Sequence, residues 1–208
     1  RILSRAAAPS IAYHRRDGRA PGILFLTGFM SDMSGANAMA LEEFCAARGQ
    51  AYVRFDYRGH GASSGRFEDG CIGDWAADAL TAFDHLTQGP QILIGSSMGG
   101  WIALLTALRR PERIAGLVGI APAPDFTEDL MWAAIPEDRR TELARNGFIM
   151  SRAGDYPITR RLIEDGRNHL LLRAQIALSC PVRLLHGQQD DSVPWRRSLD
   201  LAEKLAST

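Results

Sequence analysis

Residues 92–100 read Ile-Leu-Ile-Gly-Ser-Ser-Met-Gly-Gly, and the chain runs on as Trp101-Ile102-Ala103-Leu104-Leu105-Thr106-Ala107-Leu108. A short apolar run, a Gly-x-Ser-x-Gly turn and an Ala/Leu-rich run predict a strand, a sharp turn centred on Ser97 and a helix. The residue types follow from that geometry. A strand that turns at once into a helix strains its central residue and crowds the positions two before and two after it. Gly95 and Gly99 stand where a Cβ would collide. The serine hydroxyl is held clear of the sheet, above helix N-terminal N–H groups that favour negative charge. Gly-x-Ser-x-Gly alone arises easily by chance. With both flanks in place, Ser97 is a candidate nucleophile, against the plainer reading of an ordinary strand-to-helix turn.

A serine hydroxyl becomes a useful nucleophile only when a histidine takes its proton, and that imidazole needs a carboxylate to fix its tautomer. Further along, Val182-Arg183-Leu184-Leu185-His186-Gly187 predicts a short strand, followed by Gln188-Gln189-Asp190-Asp191-Ser192-Val193-Pro194. Asp190 lies on the loop after that strand. This stretch resembles the His-Gly-x-x-Asp-x-x-Val-Pro signature of the α/β-hydrolases, in which the chain order is Ser, acid, His. The resemblance matches Asp190 to the acid, with Asp191 as the second candidate. A plainer role for Asp190 is to cap the helix expected near Pro194, which Asp191 or Ser192 would serve as well.

The histidine is the difficulty. His14, His60, His85, His169 and His186 are present, and none follows Asp190. His186 belongs to the strand-end His-Gly pair and reads as structural. His60 lies in Asp56-Tyr57-Arg58-Gly59-His60-Gly61, a loop common in the family and usually a packing element. His85 falls on the polar side of a helix, His14 in an N-terminal strand, and His169 in a variable middle segment. The chain also begins at Arg1. The expectation is a fragment, with the last strand, the catalytic histidine and the last helix beyond residue 208.

Composition fits one α/β domain. The 208 residues are 46% hydrophobic and 23% charged, ordinary for a globular chain with a substantial core. Basic and acidic residues number 24 each, so no global basic field argues for nucleic acid. No apolar run approaches the roughly 20 residues of a membrane span. Cys45, Cys71 and Cys180 are widely spaced and form no CxxC pair, which reads as reduced thiols in a cytoplasm-like compartment. The acid-free start, Arg1-Ile2-Leu3-Ser4-Arg5-Ala6-Ala7-Ala8-Pro9, fits an ordinary bacterial N-terminus, so a cytoplasmic location is expected. The alternative is the tail of a transit segment and a mitochondrial matrix location. No cofactor or metal is called for, and oligomeric state is not readable.

Strand and helix signals alternate. Strands are expected at 11–14 and 23–27, joined by turns at Asp17-Gly18 and Pro21-Gly22. A helix follows from Asn37 to Arg48, ended by Gly49, then a strand at 51–56 and a helix at about 73–86. The elbow strand and its helix come next, then an apolar strand at 114–120. Continuous apolar strands separated by helices indicate a mostly parallel sheet covered on both faces. Residues 123–180 break the rhythm with Pro122, Pro124, Pro136 and Pro157 among bulky apolar residues. They read as a lid inserted into a single domain spanning 1–208. Met131 and Trp132 are candidate lining of an apolar acyl pocket, or mere packing of the lid on the domain.

Four stretches carry a more specific resemblance: GILFLTGFMSDMSGANAMALEEFCAARG, RFDYRGHGASSG, GPQILIGSSMGGW and CPVRLLHGQQDDSVPW. They resemble the mitochondrial palmitoyl-protein thioesterase and acyl-glucuronide esterase branch of the α/β-hydrolases and its bacterial relatives, from about Ile11 to Leu205 and most weakly across the lid. The resemblance implies the α/β-hydrolase fold and an acyl-enzyme route at Ser97 and Asp190. The substrate would be a small-molecule acyl ester or thioester, or an acylated protein. It also implies an oxyanion hole built from the N–H of Met98 and one from Leu26-Thr27-Gly28-Phe29-Met30, where Thr27 replaces the usual His. Phe29 is the expected second donor and Met30 the reserve. A dehalogenase or an epoxide hydrolase would need Asp at the elbow, which Ser97 argues against. A peptidase of this fold, or a non-catalytic small-molecule binding protein, stays as the alternative.

Overall fold

The computed structural model describes residues 1–205. Seven strands form one sheet in the order β1-β2-β4-β3-β5-β6-β9. They are β1 (Ile2–Leu3), β2 (Ile11–Arg16), β3 (Arg19–Leu26), β4 (Gln50–Phe55), β5 (Gln91–Ser96), β6 (Ile114–Ile120) and β9 (Val182–Leu185). The β1/β2 and β2/β4 pairs are antiparallel and the rest parallel. Helices α1 (Ala36–Arg48), α2 (Ile72–Leu86) and α3 (Met98–Arg109) connect the parallel strands.

The apolar strand runs divide their side chains between two cores, as a period of two requires. Leu24 and Leu26 of β3 and Leu93 of β5 join α2 and α3 on one face. Ile23, Phe25 and Ile94 join Ala38 and Cys45 of α1 on the other. Helix α3 is buried continuously from Met98 to Ala107, which its lack of charge before Arg109 permits. α1 ends as expected at Gly49, whose φ of 62° is left-handed.

Strand order reverses between β3 and β5, so the chain leaves the carboxyl ends of two adjacent parallel strands in opposite directions. A crevice at such a point is where open α/β sheets bind ligands. Gly28 follows β3 and Ser97 follows β5, and a Cβ on Gly28 would touch the Ser97 Cβ at 3.5 Å. The sheet alone brings these two turns together.

Two local expectations need correction. Pro21-Gly22 is not a turn: β3 begins at Arg19, with its pairing to β4 shifting register between Arg19 and Ile23. The sequence also gives no sign of β1, which two residues form against β2. Segment 123–180 contains a single π-helical turn at Thr127–Met131, α4 (Glu137–Asn146), β7 (Phe148–Met150), β8 (Pro157–Thr159) and α5 (Arg160–Gly166). β7 and β8 pair as a separate hairpin. Ile135, Leu143, Ile149, Ile158 and Ile163 form a small core of their own. The chain then enters β9 and α6 (Arg196–Lys204). Among the described residues β9 is an edge strand, and its Leu185 is 57% exposed.

Candidate active site

Ser97 adopts φ 53° and ψ −120°, outside the conformations an L-residue prefers. Backbone hydrogen bonds hold it there. Its N–H donates to Ile120 O (2.9 Å), and its carbonyl accepts from Gly100 N (2.9 Å) and Ala123 N (3.0 Å). A Cβ on Gly95 would run into Gly99 O, and one on Gly99 would run into Leu26 O. Both glycines are therefore required by the approach of backbone to backbone. The Ser97 hydroxyl has no hydrogen-bond partner among the described residues, and Ser97 lines a cavity of about 1110 Å³.

The N–H groups of Phe29 and Met98 have no acceptor among the described residues, although Met98 is fully buried. The N–H of Met30 is engaged: it points at Nε2 of His60, 3.3 Å away. Of the two N–H groups weighed for the β3 turn, the geometry leaves Phe29 free and Met30 occupied. The Phe29 ring packs edge-on against Phe67 and Trp75 of the body and against Phe126 and Tyr156 of segment 123–180.

Asp190 lies on the loop after β9. Its Oδ1 accepts from Ser192 N and Val193 N, both at 2.9 Å. This is the turn-capping role that sequence offered as the plain alternative, and it also immobilises the carboxylate. Oδ2 takes no part in it. Ser192 and Val193 line the same cavity as Ser97, so the acid-bearing loop reaches the cavity wall. Asp191 is exposed and has no hydrogen-bonded partner among the described residues.

No described histidine bonds to Ser97. His186 has both ring nitrogens engaged, Nδ1 with Ser198 Oγ (2.7 Å) and Nε2 with Val193 O (2.9 Å). His169 Nε2 lies 3.5 Å from Asp165, and its carbonyl accepts from Trp101 Nε1. His14 faces Glu42, and His85 is exposed on α2.

Met131 lines the cavity, together with Leu130, Phe126, Ile149 and Ile158. Trp132, expected beside Met131, does not. Its ring lies against the guanidinium groups of Arg140 and Arg167, at 4.5 and 4.9 Å. The π-helical turn ends at Met131 and Trp132 begins the turn that follows, and both side chains also pack against the small apolar cluster of segment 123–180. Sequence reading also passed over Asp125, which follows β6 and is fully buried. Its oxygens accept from Leu171 N (2.8 Å) and Leu172 N (2.9 Å), tying the two ends of segment 123–180 together. Burial pushes its carboxyl above the usual range. A lone aspartate in a Pro-rich stretch carries no local sign of partners more than forty residues away.

A strained serine after a central strand of this sheet order defines a class, and the chain belongs to it. A family model described as the alpha/beta hydrolase fold matches residues 21–152. Within that family, the chain is 42% identical to the mitochondrial palmitoyl-protein thioesterase ABHD10 of Bos taurus, over 100% of this chain and 69% of the bovine protein. Its structure is similar to that of alpha/beta hydrolase domain-containing protein 10 from mouse, with a TM-score of 0.92 at 40% identity. That match covers 100% of this chain and 84% of the mouse chain. A putative hydrolase from Agrobacterium vitis S4 matches with a TM-score of 0.90 at 40% identity, over 98% and 83% of the two chains. The chain is thus a hydrolase of the α/β fold, similar to a thioesterase. Among the described residues no helix is long and apolar enough to cross a membrane.

Proposed function

We propose that this chain carries the nucleophile and acid of a serine hydrolase that cleaves acyl thioesters or esters through an acyl-enzyme at Ser97. The observation that supports it is the strained Ser97, its hydroxyl unpartnered, on the wall of a large cavity beside the free N–H groups of Phe29 and Met98. In this reading Ser97 Oγ attacks the acyl carbonyl carbon while an imidazole takes its proton. The carbonyl oxygen, now negative, accepts from Phe29 N–H and Met98 N–H. Collapse of the tetrahedral intermediate expels the thiol or alcohol, which receives that proton. Water then repeats the sequence to release the acid. Asp190 Oδ2 holds the imidazole. None of the described histidines bonds to Ser97.

The acyl chain lies along Phe126, Leu130, Met131 and Ile149, a lid whose adaptable Met and aromatic side chains suit a flexible apolar guest. Segment 123–180 is that lid, inserted in one domain. The bovine relative is named for palmitoyl-protein thioesters, which favours a thioester and a long acyl chain here. Its name also favours the mitochondrial alternative over the cytoplasmic expectation. A fluorophosphonate probe on protein expressed from the whole gene tests the reading. Labelling should fall on Ser97 and vanish in Ser97→Ala. An unlabelled wild type with intact fold would overturn it in favour of a binding protein.

A further inference from the structure

The segment Asp56-Tyr57-Arg58-Gly59-His60-Gly61 takes no part in the chemistry proposed for Ser97. Its contacts say more. His60 is buried, with Nδ1 3.2 Å from Arg58 O. A carbonyl only accepts, so Nδ1 carries the ring proton and Nε2 is left as an acceptor. The Met30 N–H lies 3.3 Å from it. Met30 has φ 56°, a conformation a methionine holds only when its surroundings impose it. From the same segment, Asp56 Oδ1 accepts from Met33 N (2.7 Å) and Oδ2 from Ala62 N (2.8 Å). The turn after β3 is therefore gripped at Met30 and again at Met33. Phe67 and Trp75 complete the frame: each packs against the His60 ring (5.2 Å) and against the Phe29 ring (5.0 and 5.9 Å).

We propose that His60 is a positioning residue of the oxyanion hole: its Nε2 fixes Met30 and thereby aims the neighbouring Phe29 N–H at the acyl oxygen. This rests on the reading of Ser97 as nucleophile. It gives the His-Gly pair of that segment a task distinct from proton transfer, since the His60 ring nitrogens face Met30 N and Arg58 O and make no hydrogen bond with Ser97. Burial holds the imidazole below its ordinary pKa, opposed by the bond to Arg58 O and by Asp56 and Asp78. Asp78 is itself paired with Arg58 and Arg5, which weakens its pull. A proton on Nε2 would set one donor against another and release Met30.

The variants that test this separate the two ring nitrogens. Gln places a polar atom where Nε2 lies, Asn only where Nδ1 lies, and Leu supplies neither. In protein expressed from the whole gene, His60→Asn and His60→Leu should lower kcat on an acyl ester about 10- to 100-fold with KM nearly unchanged. The full loss of one oxyanion donor marks the upper range of such effects. His60→Gln should stay within about threefold of wild type, and the Met30 amide should exchange with solvent faster in the Asn and Leu variants only. Equal kcat in all three variants, with Ser97→Ala inactive, would overturn the lock alone. An active Ser97→Ala would overturn the reading of the site beneath it. Nitrogen NMR of the wild-type ring adds a check that needs no variant. A proton found on Nε2 at pH 7 refutes the lock, because that nitrogen could then accept nothing from Met30.

Discussion

The Ser97 turn and segment 123–180, the proposed lid, face each other across one cavity, yet opposite kinds of physics hold them. At the Ser97 turn, two glycines four residues apart in the chain let backbone segments approach where any Cβ would collide, and hydrogen bonds to Ile120 O and from Ala123 N fix Ser97 in a strained conformation. In segment 123–180, Ile135, Leu143, Ile149, Ile158 and Ile163 come from five separate segments and make a small apolar core. The elbow is rigid because it has no room. Segment 123–180 holds together by apolar packing, in which volume and patterning matter more than any one residue type.

The largest expected effect breaks the comparison at the elbow. Ser97→Ala should lower kcat on a p-nitrophenyl acyl ester by a factor on the order of 10⁶ in protein from the whole gene, because triad members act as a unit. Its circular dichroism and Tm should match wild type, since the backbone bonds around residue 97 do not use the hydroxyl. Activity within tenfold of wild type would remove Ser97 from the chemistry and make the elbow an ordinary turn.

Next in size is the acid. Asp190→Asn keeps an oxygen for the Ser192 and Val193 N–H groups but should lower kcat about 10³- to 10⁴-fold by leaving the imidazole in the wrong tautomer. Asp191→Asn, at an exposed position without partners, should stay within about threefold. Kinetics showing the reverse order would move the acid by one residue.

The contrast also explains what could be read from the sequence. Gly95 and Gly99 are legible because a strand that turns at once into a helix leaves no room for a Cβ at either position, and Ser97 because it stands between them. The sheet strands were legible because burial on both faces demands unbroken apolar runs such as Ile92–Ile94 and Leu117–Ile120. Composition leaves Met131 and Trp132 equally open to lining a cavity or to packing the segment; Met131 lines the cavity and Trp132 does not, a division set by packing and not by composition. The hairpin β7–β8 went unseen for the same reason: three-residue strands pairing only with each other carry too short a period to register. Asp125 and the His60–Met30 contact join residues 46 and 30 positions apart. Neither spacing has any signature in sequence.

A lid variant sharpens the other side. Leu143→Ala removes a buried side chain from the small core and should destabilise the lid by about 2–5 kcal/mol. The loss should be local. Amide exchange should rise across residues 137–166, with residues 91–109 still protected, and kcat/KM should fall for a long-chain acyl ester more than for an acetyl ester. Equal losses for both esters would show that the lid supports the elbow instead of serving the acyl chain.

The smallest expected effect concerns the tie between lid and body. Asp129, in the π-helical turn, accepts from Arg173 near the lid's return and from Arg197 of α6 (3.0 Å). The Arg173 guanidinium holds the Asp129 carboxyl below the usual carboxylate range, with Arg197 adding to it. A carboxylate whose pKa is lower folded than unfolded contributes stability above its unfolded value, near 3.8. That contribution is lost as pH falls through the folded value. The side chain is 19% exposed, so solvent screens the pair and the contribution should not exceed about 1 kcal/mol. Asp129→Asn should therefore lower stability slightly and by a constant amount from pH 7 to pH 5, and the gap to wild type should close below pH 4. Urea titrations of both proteins across that range measure it. A gap that persists below pH 3 would mean that Asp129 acts through hydrogen-bond geometry, which Asn disturbs at any pH, and not through its charge. The lid would then be joined to the body by shape, as the elbow is.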